Sequence, residues 1–280
     1  MKNETGRISI KDFKSHFYSG SDFIHFNNSG QALIPDLNRD LAYHWLQKLY
    51  KEGAFSAVPG WGQTEVTREM LARFIGADPA EVSFFQTTAS ALSQVAFGVT
   101  LQPLDEILIW DQEYPTNFYP WNQAAERNNA KLIQVDSENW QTPVKNILNR
   151  VTEKTRVIAV SWVQYQTGAV TDLKELSTAL KGRNIWLVAD VIQGVGVRPL
   201  NFHDTGFDVI CGGSHKWLCS SYGAAYMAIK KARIPELAPH EVGAMTYGTP
   251  DTVKQPTNLP KTDSSRYEPG SKTMIPAVAV

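Results

Sequence analysis

Segments of strand type alternate with segments of helical periodicity through the middle of this 280-residue chain. Alternation of this kind builds βαβ units, in which successive strands run parallel and the connecting helices cover both faces of the sheet. The predicted strands are Val82–Phe85, Glu106–Trp110, Lys131–Val135, Arg156–Val163 and Ile185–Asp190. The predicted helices between and after them are Ala89–Thr100, Thr116–Asn128, Pro143–Val151 and Leu173–Lys181. The sequence therefore predicts an α/β protein with a mostly parallel sheet.

Further elements flank this alternating region. Two short apolar runs, Asp208–Cys211 and Ala224–Ile229, follow with no long helix between them, which indicates antiparallel pairing at an edge of the sheet. They bring the predicted sheet to seven strands. Two amphipathic helices, Asp36–Glu52 and about Thr64–Ile75, precede it, and each ends at a glycine. Both helices should pack against the sheet.

The two ends of the chain differ from this core. We expect an irregular N-terminal arm over residues 1–34 and one large domain over residues 35–270. An apolar run begins at Met274 and stops at Val280, so we interpret residues 271–280 as the start of a C-terminal small domain that is otherwise missing. The alternative is a short apolar tail that docks on the core.

Composition limits the class of protein. The net charge is −1 and no Lys/Arg-rich block is present, which argues against a nucleic-acid or anionic-membrane surface and favours a small-molecule substrate. No signal-peptide pattern and no run of about 18 apolar residues is present, so we expect a soluble, cytoplasmic protein. Cys211 and Cys219 are too few for a disulfide framework and lack zinc-ligand pairing, so we interpret both as reduced structural thiols.

One lysine lies in an unusual setting, within Gly212-Gly213-Ser214-His215-Lys216-Trp217. A lysine among such neighbours is poorly solvated, so its neutral amine becomes a usable nucleophile toward an aldehyde. Asp190 ends a predicted strand, where a carboxylate could keep a pyridine nitrogen protonated. A Schiff-base lysine together with such an acid indicates pyridoxal phosphate.

Other residues match the remaining tasks of a pyridoxal phosphate site. Thr87, Thr88 and Ala89 lie between a strand and a helix, where N–H groups and hydroxyls could bind a phosphate, although an ordinary helix cap would look the same. Gln193 could hydrogen-bond the phenolate oxygen, and Tyr114 could stack on the ring or be an ordinary packed aromatic. The glycine-rich phosphate loops of nucleotide-binding proteins are absent from the sequence.

Together these residues resemble the class V aminotransferase and cysteine desulfurase group of fold-type I pyridoxal phosphate enzymes, over about residues 22–280. The resemblance is carried by Thr87-Thr88, Glu113-Tyr114 through Pro120-Trp121, Gly168, Asp190 with Gln193, Ser214-His215-Lys216 and Arg266-Tyr267-Glu268-Pro269-Gly270-Ser271. It implies the fold-type I large domain, with helices on both faces of the sheet.

The resemblance also implies roles. Lys216 would be the Schiff-base lysine, Asp190 the partner of the pyridine nitrogen and Gln193 the partner of the phenolate oxygen. The implied phosphate ligands are Thr87, Thr88 and His215, and Ala89, Tyr114 and Ser214 complete the predicted cofactor-binding set within the subunit. Asn28, Ser29 and Gly30 would line the substrate site, and Ser271 would reach the phosphate of the other subunit of a homodimer.

Three departures from the family pattern bear on the reaction. Tyr114 stands where desulfurases place a ring-stacking histidine, and a tyrosine is a poor general acid at neutral pH, which weakens the desulfurase interpretation. Gln164 or Tyr165 must replace a common asparagine, and the sequence leaves open which of them does so. Gly213 stands where a phosphate-binding serine is common.

The resulting prediction is an enzyme of the class V aminotransferase type that acts on an amino acid or related amine, by transamination, epimerisation or lyase chemistry. Lys216 would act as the base that removes the α-proton, Asp190 would support electron withdrawal, and Tyr114 would face the reacting ring. One alternative is a cysteine desulfurase or selenocysteine lyase. Another is a non-catalytic dimeric protein that binds the cofactor without turnover.

Overall fold

The computed structural model describes residues 9–17, 24–248 and 259–270. The described residues form one seven-stranded sheet, in the order β1-β7-β6-β5-β4-β2-β3. The strands are β1 (Val82–Phe85), β2 (Glu106–Trp110), β3 (Lys131–Val135), β4 (Thr155–Ser161), β5 (Trp186–Asp190), β6 (Val209–Gly213) and β7 (Ala225–Ile229). All neighbouring pairs from β6 to β3 are parallel. The predicted mostly parallel α/β sheet is confirmed.

The predicted antiparallel pairing of the two short runs is confirmed by β6 and β7, but neither of these strands is at the edge of the sheet. We expected antiparallel pairing at an edge, but β7 lies inside the sheet and pairs antiparallel with both β6 and β1. Every residue of β7 is buried, as expected for a strand with a neighbour on each side. The edge strand at this end is β1, from a distant part of the chain.

Helices cover both faces of the sheet. They are α1 (Ile10–Lys14), α2 (Asp36–Glu52), α3 (Ala57–Ile75), α4 (Thr88–Gly98), α5 (Tyr119–Asn128), α6 (Val144–Leu148), α7 (Leu173–Ala179), α8 (Phe202–Thr205) and α9 (Ala244–Tyr247). In β2, Leu108 and Trp110 face the core formed with α3, α6, α7 and α8, whereas Ile107 and Ile109 face the core formed with α4 and α5. Alternate side chains of each strand thus bury both faces.

Several element ends differ from the sequence prediction for local reasons. Helix α5 begins at Tyr119, after a separate 3₁₀ turn at Pro115–Asn117, because two prolines punctuate this segment. Strand β4 ends at Ser161, and Val163 instead forms a bridge with Val170 across the following loop. The chain therefore leaves the sheet beside the end of β5.

Two further expectations concern membrane spans and the C-terminal residues. No helix within the described ranges is long and apolar enough to cross a membrane. The predicted start of a small domain at 271–280 lies outside the described residues, and Ser271 lies there with it.

Candidate active site

A cavity of about 620 Å³ opens at the carboxyl ends of the parallel strands. Loops that follow β1, β2, β4, β5 and β6 converge on it, together with the end of the N-terminal arm. Its lining residues are Asn27, Ser29, Gly30, Thr87, Thr88, Ala89, Tyr114, Thr116, Ser161, Val163, Tyr165, Asp190, Ile192, Gln193, His215, Lys216 and Tyr222. Open α/β sheets bind ligands at this edge.

Lys216 and Asp190 both line the cavity. Asp190 ends β5 and is 3% exposed, and this burial raises its pKa to about 7 despite a hydrogen bond from the Ile192 N–H to Oδ1. Lys216 is half-buried, and burial lowers its pKa, although attraction to Asp190 opposes that shift. A lysine with a lowered pKa is more often neutral and therefore more nucleophilic.

The N-terminus of α4 lies at another side of the cavity. Thr87 is the N-cap, and its hydroxyl accepts a hydrogen bond from the Ser90 N–H at 3.0 Å. Thr88 behaves differently, because its buried Oγ1 has no partner among the described residues. Orphaned hydroxyls of this kind are uncommon in protein interiors, and here the hydroxyl belongs to a residue that lines the cavity at a helix N-terminus.

His215 adds a ring to the same side. It stacks on Tyr222 with ring centroids 4.8 Å apart, and burial, followed by the charge of Lys216, lowers its pKa. A neutral imidazole can donate one hydrogen bond to an anion. Gly213 lies opposite Thr88, and a Cβ there would be 2.9 Å from Thr88 Oγ1, so the glycine provides space that a serine would fill.

Two tyrosines form one wall. Tyr114 and Tyr165 pack edge to face at 5.0 Å, and Lys216 Nζ lies 5.7 Å from the centroid of the Tyr114 ring. The two candidates to replace the family asparagine lie in different surroundings. Tyr165 lines the cavity, whereas Gln164 is buried behind it and donates to Glu113.

Glu113 is a buried carboxylate to which the sequence analysis assigned no role. Its Oε1 accepts from the Ser161 N–H at 2.6 Å and from Gln164 Nε2 at 3.0 Å, and its Oε2 accepts from Asn117 Nδ2 at 2.9 Å and from the Ser161 hydroxyl. Burial raises its pKa against these hydrogen bonds. Glu113 thus ties the loop of Tyr114 to the end of β4.

The arm closes the cavity from the other side. Gln193 Nε2 donates to the Ser29 carbonyl at 3.0 Å, and the Ala32 N–H donates to the His215 carbonyl at 3.0 Å. Ser29 and Gly30 line the cavity, as predicted. Asn27 also lines it, although it was not among the predicted site residues. Asn28 is not among the lining residues.

Ser214 does not face the cavity. Its hydroxyl donates to the Ala224 carbonyl at 2.7 Å, and Ser214 is absent from the cavity lining, so it holds the loop to β7 instead. The two cysteines are free, and burial raises the pKa of both thiols. A raised pKa keeps a thiol protonated and therefore a poor nucleophile, which agrees with the structural role expected for both cysteines.

The cavity belongs to an α/β protein that presents a lysine and a buried acid at the carboxyl edge of a largely parallel sheet, beside a helix N-terminus. The family model described as aminotransferase class V matches residues 61–280, and the chain belongs to this family. The resemblance seen in the sequence is therefore confirmed at the level of the family.

Proteins similar to this chain carry names of different kinds. An uncharacterized aminotransferase of Bacillus subtilis is 24% identical over 75% of this chain and 56% of its own. Isopenicillin N epimerase of Streptomyces clavuligerus is 28% identical over 62% of this chain and 45% of its own. The chain thus spans about half the length of these curated relatives.

The fold is shared with solved structures. A cysteine desulfurase of Thermococcus onnurineus superposes with a TM-score of 0.85 at 19% identity, over 96% of this chain and 68% of that structure. This similarity extends across nearly the whole chain, and at this identity it concerns the fold alone.

Proposed function

We propose that this chain binds pyridoxal phosphate and, in its active form, acts on an amino acid or a related amine by transamination, epimerisation or lyase chemistry. One observation carries the proposal: Lys216, with a lowered pKa, and the buried acid Asp190 line the same cavity. Membership of the class V aminotransferase family supports it.

The residues of the cavity fit this cofactor. Thr88 Oγ1 is buried without a partner among the described residues, beside the N-terminus of α4, so a phosphate would supply the acceptor that this hydroxyl lacks. Asp190 would hold the proton of a pyridine nitrogen, and this ion pair would keep its carboxylate charged despite burial. Thr87, Ala89 and His215 line the same cavity.

Each residue would have a defined task. When bound, pyridoxal phosphate withdraws electrons from the α-carbon of an amine substrate. Lys216 would hold the cofactor aldehyde and then take and return the α-proton as the neutral amine. Tyr114 would cover one face of the ring, and Tyr165 would line the substrate side beside it. Ser29 and Gly30 would line that side as well.

Absorbance spectroscopy tests cofactor binding. The protein mixed with pyridoxal phosphate should develop a visible band that borohydride bleaches, and Lys216→Ala should lack the band. Lys174→Ala, which changes an exposed lysine on α7, is the matched control and should keep it. Absence of the band from the wild type, or its persistence in Lys216→Ala, would refute the assignment.

A panel of amino acids tests turnover. A substrate should change the visible spectrum and release a keto acid, an epimer or an elimination product, which identifies the reaction. Formation of alanine from cysteine would instead favour the desulfurase alternative, because β-elimination of cysteine, which also releases sulfide, leaves pyruvate. If the band forms but no amino acid changes it, the chain is a cofactor-binding protein without turnover.

We also propose a homodimer. Tyr43, Leu46 and Tyr50 share one face of α2 and are each more than half exposed, so they form an apolar stripe that a second copy could cover. Light scattering should give twice the 31.2 kDa chain mass, and a monomer at micromolar concentration would contradict this.

The free thiols Cys211 and Cys219 fit a reducing compartment such as the cytoplasm.

A further inference from the structure

The side-chain amide of Gln193 has a fixed orientation. The indole N–H of Trp217 donates to Gln193 Oε1 at 2.9 Å, and Gln193 Nε2 donates to the Ser29 carbonyl at 3.0 Å. An indole can only donate and a carbonyl can only accept, so the oxygen and nitrogen of the amide cannot be exchanged. A 180° flip of the amide would break both hydrogen bonds, because it would place the NH₂ group against the indole N–H and the amide oxygen against the Ser29 carbonyl.

This orientation leaves one donor available. The nitrogen of an amide carries two hydrogens, and the Ser29 carbonyl is the one acceptor recorded for Gln193 Nε2 within the described part of the chain. Gln193 is 6% exposed and lines the cavity. Its second N–H therefore remains for an acceptor inside the cavity.

Trp217 is itself held in place. Gly196 has φ +100°, and a Cβ at this position would lie 2.4 Å from the Trp217 carbonyl oxygen and 2.6 Å from its carbonyl carbon. Only a glycine allows the two backbones to approach so closely at this φ. The contact fixes the backbone from which the indole reaches Gln193, immediately after Lys216 in the chain.

We propose that Trp217 is a positioning residue that, through its indole N–H, turns the Gln193 amide so that an N–H faces the cofactor cavity. This inference rests on the proposed function, because the acceptor that it serves is the phenolate oxygen of pyridoxal phosphate. The same amide also holds the arm at Ser29, so the arm and the cofactor share one anchor.

The visible band tests the proposal through its pH dependence. A donor to the phenolate oxygen favours the deprotonated oxygen, so its loss should move the pH midpoint of the band upward by about one unit. Trp217→Phe keeps an aromatic ring but removes the N–H, and Gln193→Leu removes the amide. Trp140→Phe, at a tryptophan that is 65% exposed, is the matched control.

The shifts of the pH midpoint differ between a residue that positions Gln193 and a residue that acts on the cofactor independently. Trp217→Phe and Gln193→Leu should each shift the midpoint, the double variant should shift no further than Gln193→Leu, and Trp140→Phe should match the wild type. A wild-type midpoint in Trp217→Phe, with a shifted one in Gln193→Leu, would overturn the proposal. Fully additive shifts in the double variant would also overturn it, because two independent effects add.

A second measurement needs neither the cofactor nor a tryptophan variant. In the apoprotein, Gln193→Leu should move one indole N–H resonance upfield in a ¹H–¹⁵N spectrum, since that N–H loses its acceptor. An unchanged set of indole resonances would overturn the proposal even if Trp217→Phe did not fold. Failure of the wild type to form a visible band, with the resonance shift present, would refute the cofactor and leave the Trp217–Gln193 hydrogen bond intact.

Discussion

Replacing Glu113 with glutamine should destabilise the fold although the two side chains have nearly the same shape. The carboxylate accepts hydrogen bonds from four donors, and an amide can keep only one of its two oxygens as an acceptor. The amide oxygen should remain toward the Ser161 N–H and Gln164 Nε2. The new NH₂ group then faces Asn117 Nδ2 and the Ser161 hydroxyl.

The two remaining partners respond differently. The Ser161 hydroxyl can rotate and accept from the new NH₂. Asn117 cannot flip to do the same, because its Oδ1 already accepts from Trp121 Nε1 at 3.0 Å. Two buried donors are therefore left facing each other, and each costs about 1–3 kcal/mol. Removal of a carboxylate whose pKa burial has raised offsets part of this cost, so we expect a net loss of about 2 kcal/mol.

Thermal and urea unfolding at neutral pH measure this loss. A destabilisation of about 2 kcal/mol should lower Tm by roughly 5 °C in a protein of this size. Glu126→Gln, at an exposed position on α5, is the matched control and should change Tm by less than about 2 °C.

An exchange of partners provides the stricter comparison. In the double variant Glu113→Gln with Asn117→Asp, the new aspartate can accept both from the NH₂ group of the substituted glutamine and from Trp121 Nε1. This swap should recover more than half of the lost stability. If Glu113→Gln is as stable as the wild type, or if the swap restores nothing, the hydrogen-bond reasoning is wrong.

Three further predictions concern stability. Because burial raises the pKa of Asp190 to about 7, protonation favours the folded apoprotein, and stability falls as pH rises through the window from about 4 to about 7. Urea unfolding at each pH should therefore show that the unfolding free energy of the wild type, minus that of Asp190→Asn, falls by on the order of 4 kcal/mol across this window. A difference that does not change with pH would contradict the raised pKa. Cys219 has φ +54°, so Cys219→Gly should increase the unfolding free energy by about 0.5–1 kcal/mol, and a decrease would show that the thiol contributes more than the strain costs. Glu268→Ala should cost about 3–5 kcal/mol in chemical unfolding, because it leaves the buried Arg68 guanidinium without its 2.7 Å partner, and a cost below about 1 kcal/mol would mean that Glu65 suffices.

The strands were predictable because their signal is local. Val82–Phe85, Glu106–Trp110 and Lys131–Val135 have the predicted bounds, since short apolar runs between turn residues allow few other arrangements. The position of β7 was not predictable in this way. Its place between β6 and β1 depends on pairing with β1, a strand from a much earlier part of the chain.

The site divides along the same line. Asp190 and Lys216 could be predicted to lie at the cavity because each stands at a recognisable point, a strand end and a glycine-rich loop. Glu113 is hydrogen-bonded to Ser161 and Trp217 to Gln193, and because these partners are distant in sequence, their spacing carries no signal. Ser161 could have been predicted from the sequence, because a polar residue near the end of a predicted strand should lie at the same edge of the sheet as Asp190. In the structure, Ser161 of β4 pairs with Asp190 of β5.

The pairing of β1 with β7 also sets an order of events during synthesis. Val82 lies opposite Ala228, so, among the strands that the structure describes, β1 has no hydrogen-bonded neighbour until Ala225–Ile229 has been synthesised. Thr87 and Thr88 follow β1, and their side of the cavity is assembled only when β7 arrives. Pairing over such a separation is slow to form. This side of the pocket is therefore completed only after β7 has paired with β1, and capture of a ligand there would report that this pairing has formed.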